Sequence, residues 1–167
     1  WDVHFWVQIV PKFESSECRY FAKYPLAMIR IFHLDDHRIF QSGVKTAVQN
    51  YINDVEVKNA PDNQTALEYL RNCLERNELP DIIITDYNHP NGNGLEFINE
   101  YRKLETDFNV RIPILMITMI GYTTLIQEYI SDGLLDYYLN KTASEHRILS
   151  AVHSLLCLSD GYHENMK

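Results

Sequence analysis

Strand-like runs alternate with amphipathic segments from Met28 onward, and no other feature of the sequence restricts the fold as strongly. One run, DIIITD, is continuously apolar, which is typical of a strand covered on both faces. The strand-like runs are AMIRIFHL, DVEVKNA, DIIITD, IPILMIT and LDYYLN. A helical pattern follows each of them, and the last extends from about Ser144 to Leu158. Short links of this kind imply parallel strands and right-handed crossovers, so the sequence predicts a doubly wound (βα)5 three-layer α/β sandwich with a five-stranded parallel sheet.

The 167 residues divide into three predicted parts. Residues 1–27 are aromatic-rich and irregular, and we interpret them as an N-terminal extension of unknown role. Residues 28–158 form the predicted domain, and residues 159–167 form a C-terminal tail that is too short for another domain. Two interpretations stay open, a stand-alone domain and a piece of a longer protein.

Charge and hydropathy narrow the class of partner. The formal net charge of -8 argues against contact with a nucleic-acid backbone or an anionic membrane. No apolar run approaches the roughly 18 residues of a membrane span, and no basic segment precedes an apolar one at the N-terminus. The cysteines lack the spacing of a zinc site. We therefore expect a cytoplasmic domain whose partner is a protein, a cation or a small ligand.

Polar residues stand where the predicted strands end. Asp35 and Asp36 follow the first strand, and Asp86 ends the third. Thr118 ends the fourth strand, and Lys141 follows the fifth. Because ligands bind beyond the carboxyl ends of the strands in such sheets, we expect these side chains to lie close together. Three neighbouring carboxylates repel one another, so the cluster predicts a hard divalent cation, Mg²⁺.

The same residues suit phosphoryl chemistry. An ammonium and a hydroxyl group match the charge on the oxygens of a transferring phosphoryl group. A carboxylate between them can act as a nucleophile and form an aspartyl phosphate. Taken singly, the residues have plainer explanations, since Asp35 and Asp36 can cap a helix and Asp86 can open an Asx-turn. The occurrence of the acids, the hydroxyl and the lysine together favours a site for phosphoryl chemistry over these separate structural roles.

From Met28 to about Leu158 the sequence resembles the receiver domain of two-component response regulators. The matching pieces are LDDHRIF, TDYNHPNGNG, ILMIT and LDYYLNK, in that order. The segments DDHRIFQSGV and YLNKTASE are most similar to receivers that precede a helix-turn-helix output domain. The resemblance implies a flavodoxin-like sheet with strand order 2-1-3-4-5.

The resemblance also implies a role for each acid. Asp86 matches the phosphoacceptor. Asp36 matches the direct Mg²⁺ ligand, with Asp35 assisting. Asp86 and the backbone carbonyl of Asn88 match the remaining ligands that the protein supplies.

Three further residues take roles from the resemblance, and one departs from the pattern. Thr118 and Lys141 match the groups that bind the phosphoryl oxygens, and Tyr138 matches the aromatic switch that turns inward after phosphorylation. The readout then involves the fourth helix, the fifth strand and the fifth helix, a face that could also form a homodimer by analogy. Where the family usually has a small residue after Thr118, this chain has Met119, which we expect to cover part of the site and slow the exchange of small phosphodonors.

We therefore expect a phosphorylation-activated switch that accepts a phosphoryl group from a sensor histidine kinase or a phosphotransfer protein. Such a domain promotes its own phosphorylation and dephosphorylation but is not a turnover enzyme. A Mg²⁺-dependent phosphohydrolase stays an alternative, disfavoured because Asn88 stands where the haloacid-dehalogenase type has a second acid. A non-phosphorylated interaction module is the other alternative, which Met119 leaves open although the complete set of acids, hydroxyl and lysine argues against it.

Overall fold

A computed structural model describes residues 28–164. Within this range one parallel sheet contains five strands, β1 Ile29–Leu34, β2 Val55–Ala60, β3 Ile82–Thr85, β4 Ile114–Thr118 and β5 Tyr137–Asn140. Their spatial order is β2-β1-β3-β4-β5. The predicted flavodoxin-like topology is therefore confirmed. The predicted N-terminal extension lies outside the described residues.

Five helices cover the two faces of the sheet. They are α1 Arg38–Tyr51, α2 Asn63–Arg76, α3 Gly94–Phe108, α4 Thr124–Ser131 and α5 Glu145–Glu164. Helices α1 and α5 enclose one core, and helices α2, α3 and α4 enclose the other. Among residues 28–164, no helix has the length and apolar character that crossing a bilayer would need.

Helix α5 is longer than predicted. Its expected end was near Leu158, but the helix continues to Glu164. Most of the segment predicted as a C-terminal tail is therefore helical. No proline occurs between Ser159 and Glu164, so nothing in the backbone interrupts the hydrogen-bond ladder there.

The continuous apolar run of β3 reflects burial on both faces. Ile82 and Ile84 point into the core under α1 and α5, whereas Ile83 points into the other core. All three side chains are fully buried. Because successive side chains of a strand point to opposite faces of the sheet, one continuously apolar strand contributes side chains to both cores.

The strand register sets the position of the polar residues. Leu34 of β1 aligns with Thr85 of β3 in parallel pairing. The next residues, Asp35 and Asp86, therefore leave the sheet side by side at its carboxyl edge. The Asp86 N–H also donates to the Leu34 carbonyl at 2.9 Å, which ties the two strand ends together.

Candidate functional site

The Lys141 ammonium lies between two buried carboxylates. Its Nζ is 2.7 Å from Oδ2 of Asp35 and 2.6 Å from Oδ2 of Asp86. Asp35 is inaccessible to solvent, and Asp86 is 3% exposed. Burial alone lowers the pKa of Lys141, but its hydrogen bonds to the two carboxylates outweigh burial and raise the pKa above its ordinary value. The lysine is therefore a fixed cation at the end of the sheet.

Asp86 is held in its ionised form. Burial raises the pKa of Asp86, but hydrogen bonds from Lys141 and Thr118 outweigh this effect and keep the pKa below its ordinary value. The backbone N–H of Tyr87 also donates to Asp86 Oδ1 at 2.5 Å. Stabilisation of the charged form by these donors leaves a carboxylate that is available as a nucleophile or as a metal ligand.

Thr118 reaches the same site from the end of β4. Its side chain is fully buried, and its hydroxyl contributes to the stabilisation of the charged form of Asp86. The backbone N–H of Lys141 donates to the Thr118 carbonyl at 2.8 Å. This bond holds the last residue of β4 next to the residue that follows β5. The structure therefore brings together the predicted hydroxyl, lysine and central acid.

A candidate metal site lies beside the ammonium. Ligand atoms of Asp35, Asp36, His37 and Asp86 all lie within 4.8 Å of one another. The side chain of Asp36 is 37% exposed, and His37 Nδ1 is 2.9 Å from its Oδ1. Three carboxylates against one ammonium leave the cluster negatively charged, and hard oxygen donors fit Mg²⁺. The predicted acids are therefore placed where they could share one divalent ion.

The loop after Asp86 is folded tightly. Its Asn88 pairs with Asn93 in a two-residue antiparallel hairpin, where the sequence had predicted only a turn. The Asn88 N–H is 3.4 Å from Asp86 Oδ1, and the residue lies on the rim of the cleft beside the acids. Its role as a carbonyl ligand stays a prediction. Gly94 is packed so closely that a Cβ there would lie 2.2 Å from the carbonyl oxygen of Asp86.

Tyr138 contacts the loop after Thr118. Its hydroxyl donates to the carbonyl of Ile120, and its ring meets the Tyr122 ring edge-on at a centroid distance of 5.4 Å. The Tyr138 side chain is half-buried. The hydrogen bond from Tyr138 to Ile120 links β5 to the loop that follows the buried Thr118. A switching role for Tyr138 stays a prediction.

An open cleft of about 690 Å³ leads to the site between α1 and α5. Apolar side chains of α1 form one wall, and the Met119 side chain, 63% exposed, stands at the rim. Asp86 and Lys141 lie at the polar end of the cleft. The residues lining it are His37, Ile39, Phe40, Gly43, Val44, Ala47, Asp86, Asn88, Met119, Lys141, Ala143, Glu145 and Ile148.

Two aromatic side chains are neighbours of the site, and the sequence revealed only one of them. The Phe40 ring centroid lies 4.7 Å from Lys141 Nζ. His33 is fully buried, with Nε2 3.8 Å from Oδ2 of Asp35. Helical spacing marked Phe40 as part of a buried face, but periodicity along one helix carries no information about a lysine 101 positions later. The sequence places His33 close to Asp35, and we interpret it as a neighbour of that carboxylate and not as a metal ligand.

The family model for the response regulator receiver domain matches residues 31–153. Probable histidine kinase 2 from Oryza sativa subsp. indica is 26% identical over 140 residues, which cover 78% of this chain but 13% of the kinase. The same values hold for the protein of that name from Oryza sativa subsp. japonica. The chain thus spans about an eighth of the length of these curated relatives.

Two solved structures share both sequence and fold with the chain. The chemotaxis response regulator CheY4 of Vibrio cholerae is 25% identical with a TM-score of 0.62, and the match covers 77% of this chain and 99% of that chain. The phosphorylated cyanobacterial phytochrome response regulator RcpA is also 25% identical, with a TM-score of 0.60. That match covers 77% of this chain and 91% of the other.

Proposed function

The chain belongs to the response regulator receiver domain family of two-component signalling, and from this premise we propose that Asp86 accepts a phosphoryl group in the presence of Mg²⁺. One observation carries the proposal, the Lys141 ammonium bonded to both Asp35 and Asp86. A buried cation fixed between two acids is placed to stabilise a phosphoryl group on one of them. The domain acts as a switch whose state is set by the charge at this edge of the sheet.

The residues divide the chemistry among them. A carboxylate oxygen of Asp86 attacks the phosphorus, and the bond to the donor nitrogen breaks as the new P–O bond forms. The Lys141 ammonium and the Thr118 hydroxyl donate to the phosphoryl oxygens and stabilise their charge. Asp35 and Asp36 would hold the cation together with Asp86 and the Asn88 carbonyl. When bound, Mg²⁺ neutralises charge on the acids and on the transferring group.

The acids present favour a switch over a turnover phosphohydrolase. A hydrolase that uses an aspartyl phosphate needs a second acid or base to activate water. Asn88 occupies the position two residues after Asp86, and an amide does not transfer protons in this way. The phosphoryl group therefore stays on the domain long enough to be read.

We propose that the readout runs from Thr118 to Tyr138. A phosphoryl group on Asp86 attracts the Thr118 hydroxyl, which shifts the loop whose Ile120 carbonyl accepts from Tyr138. Loss of that bond frees the tyrosine to turn inward. The face formed by α4, β5 and α5 changes as a result, and it is the proposed surface for self-association.

The proposed phosphodonor is a phosphohistidine of a histidine kinase or a phosphotransfer protein in the cytoplasm. The cleft between α1 and α5 opens directly onto Asp86. Its rim carries two exposed apolar side chains, Ile39 at 91% and Met119 at 63%. A protein partner can bury such groups while it presents a phosphohistidine, whereas a small donor cannot. The net charge of -8 disfavours a nucleic-acid partner.

Intact-mass measurement tests the proposal. The protein is incubated with acetyl phosphate and Mg²⁺, alongside Asp86→Asn and Asp36→Ala variants. We expect one phosphoryl group on the wild type, none on Asp86→Asn, and little on Asp36→Ala. Asp107→Asn, which changes an exposed acid on α3, is the matched control and should react like the wild type.

Other outcomes identify the alternatives. No added mass with acetyl phosphate or with a phosphorylated kinase would leave the non-phosphorylated interaction module. Rapid release of inorganic phosphate over many turnovers would favour the phosphohydrolase. An added mass that persists in Asp86→Asn would place the phosphoryl group elsewhere.

A further inference from the structure

An aromatic ring lies against the ammonium that the site depends on. The centroid of Phe40 is 4.7 Å from Lys141 Nζ, well within the roughly 6 Å over which a cation is attracted to the ring face. The lysine side chain is 8% exposed. Water therefore screens this contact poorly, and the ring takes up a part of the cation surface that solvent would otherwise occupy.

The ring is held in place from several directions. Phe40 is half-buried and packs against the core between α1 and α5. The His33 ring meets it edge-on, with centroids 6.1 Å apart and planes at 71°. The side-chain amide of Gln41 donates to the backbone carbonyl of Asp35 and fixes the first turn of α1 to the end of β1. Phe40 is thus anchored to the strand that carries the acids.

The donor count of the ammonium explains why a ring is useful here. A lysine ammonium has three N–H donors, and one of them donates to Asp86 Oδ2 at 2.6 Å. Asp35 Oδ2 lies 2.7 Å from the same Nζ as an ion-pair partner. An aromatic face attracts the charge without taking a directional hydrogen bond. The ammonium therefore keeps donor capacity for an oxygen of an incoming phosphoryl group.

We propose that Phe40 is a positioning residue that holds the Lys141 ammonium by a cation–π contact in the geometry needed for phosphoryl transfer to Asp86. The inference rests on the proposed function. The ring contacts neither the phosphoryl group nor the metal ligands in this role and acts only through the lysine. The role requires the electron-rich face of the ring, and an apolar side chain of the same volume would not hold the ammonium in this way.

Replacement of the ring with shape-matched analogues separates charge attraction from packing. Phe40 is replaced by leucine, 4-fluorophenylalanine and pentafluorophenylalanine, and the rate of acetyl phosphate labelling at Asp86 is measured at saturating Mg²⁺. Fluorination keeps the ring shape but weakens and then reverses the charge on its face. We expect the labelling rate to be about 3- to 10-fold lower for leucine and for pentafluorophenylalanine than for the wild type. For 4-fluorophenylalanine we expect an intermediate rate. The Mg²⁺ affinity of all three variants should stay within about 2-fold of the wild type.

Two controls make the result decisive. The same substitutions at Phe108, a 39% exposed residue at the end of α3, should leave the rate unchanged. In the metal-free protein, the Lys141 Hε resonances should lose their ring-current shift in Phe40→Leu, a readout that does not require phosphorylation. A wild-type rate in the pentafluorinated protein, whatever the rate of Phe40→Leu, or unmoved Hε resonances in Phe40→Leu, would overturn the inference and leave the proposed function intact. Failure of the wild type to be labelled both by acetyl phosphate and by a phosphorylated kinase would overturn the proposed function and the inference with it.

Discussion

Lys141 and Asp86 are 55 residues apart in the chain, yet Nζ of the lysine is 2.6 Å from Oδ2 of the aspartate. The same ammonium is 2.7 Å from Oδ2 of the fully buried Asp35. One cation therefore offsets much of the repulsion between two acids at the end of the sheet. In the phosphorylated domain, Asp86 is no longer a free carboxylate, and its phosphoryl group would compete with the Asp35 carboxylate for this cation.

Replacement of Lys141 by methionine should destabilise the metal-free protein and strengthen its response to Mg²⁺. The change leaves two buried carboxylates without their cation, and loss of one partner from a buried pair costs about 3 kcal/mol. Bound Mg²⁺ offsets the same repulsion, so the loss should shrink when the metal is present. Urea unfolding in EDTA and in excess Mg²⁺ measures both quantities.

The exposed Lys103 on α3 provides the matched control. Lys103→Met should change the free energy of unfolding by less than about 0.5 kcal/mol in either condition. An equal loss of unfolding free energy for Lys141→Met with and without Mg²⁺ would show that the ammonium does not offset the repulsion between the carboxylates.

Removal of the Tyr138 hydroxyl should loosen the loop after β4. Tyr138→Phe deletes the donor to the Ile120 carbonyl, and a net hydrogen bond contributes about 1 kcal/mol. We expect faster hydrogen exchange at the amides of residues 119–122 in the unphosphorylated protein. Tyr137→Phe, on the neighbouring residue of β5, should leave exchange in this loop unchanged. Equal exchange in wild type and Tyr138→Phe would remove the basis for the proposed readout.

Much of the site follows from the sequence because topology alone brings the strand ends together. The apolar run before Asp86 identified a buried strand, and the strand order that the family resemblance implied then placed Asp35 beside it. The positions of Thr118 and Lys141 followed from the same rule. The predicted ligands therefore needed no knowledge of side-chain conformation.

Contacts between distant side chains could not be predicted in this way. The contact of Phe40 with Lys141 depends on how α1 packs on the sheet, and no periodicity within one helix reports that packing. The hairpin at Asn88 was missed because two-residue strands leave no alternating pattern. The end of α5 at Glu164 was missed because polar sequence weakens the helical signal while the backbone still permits the helix.

The buried His33 should make the stability of the metal-free protein depend on pH. Burial lowers the pKa of His33 to about 4, and the nearby Asp35 carboxylate offsets only part of this effect. The unfolded state, with an ordinary histidine pKa of about 6.5, then binds more protons than the folded state. Stability is therefore lost as the pH falls from 6.5 towards 4, by about 3 kcal/mol.

His33→Leu isolates this contribution. As the pH falls from 7 to 4, the wild type should lose stability relative to the variant, measured as the free energy of urea unfolding in EDTA. His146→Leu, at an exposed position of α5, is the control and should keep the wild-type pH dependence. A constant difference across this range for His33→Leu would mean that the buried ring gains a proton as easily as it does in the unfolded chain.

A methyl group at Gly94 should disturb the site through the backbone. An added Cβ would lie 2.2 Å from the carbonyl oxygen of Asp86, so the strand end or the start of α3 must move. Gly94→Ala should cost about 1–3 kcal/mol of stability and slow phosphorylation at Asp86. In contrast, nothing lies within 4 Å of a Cβ at Gly43 in α1, so Gly43→Ala should be stabilising by up to about 1 kcal/mol. Measurement of the free energy of unfolding and of the acetyl phosphate labelling rate for both variants tests these two predictions.

The opposite edge of the sheet contains a buried ion network that should govern stability without affecting the chemistry. Arg102 donates to Glu105 at 2.5 Å and to Asp136 at 3.0 Å, and its Nε donates to the Leu134 carbonyl at 2.9 Å. Arg102 is 9% exposed and Glu105 is 2% exposed. The guanidinium therefore connects α3 to the segment that leads into β5.

Arg102→Met should cost about 3–5 kcal/mol, because it removes the donors to the buried Glu105 carboxyl, to Asp136 and to the Ile112 carbonyl, and Arg111 is 3.8 Å from Glu105. The double variant Arg102→Met with Glu105→Leu should recover much of that loss, since apolar groups can replace a buried pair together. Urea unfolding measures the stabilities, and acetyl phosphate labelling of the folded proteins should match the wild type because the network lies far from Asp86. A double variant as unstable as the single one would show that the carbonyl bonds of Arg102, and not its charge pairing, hold this edge.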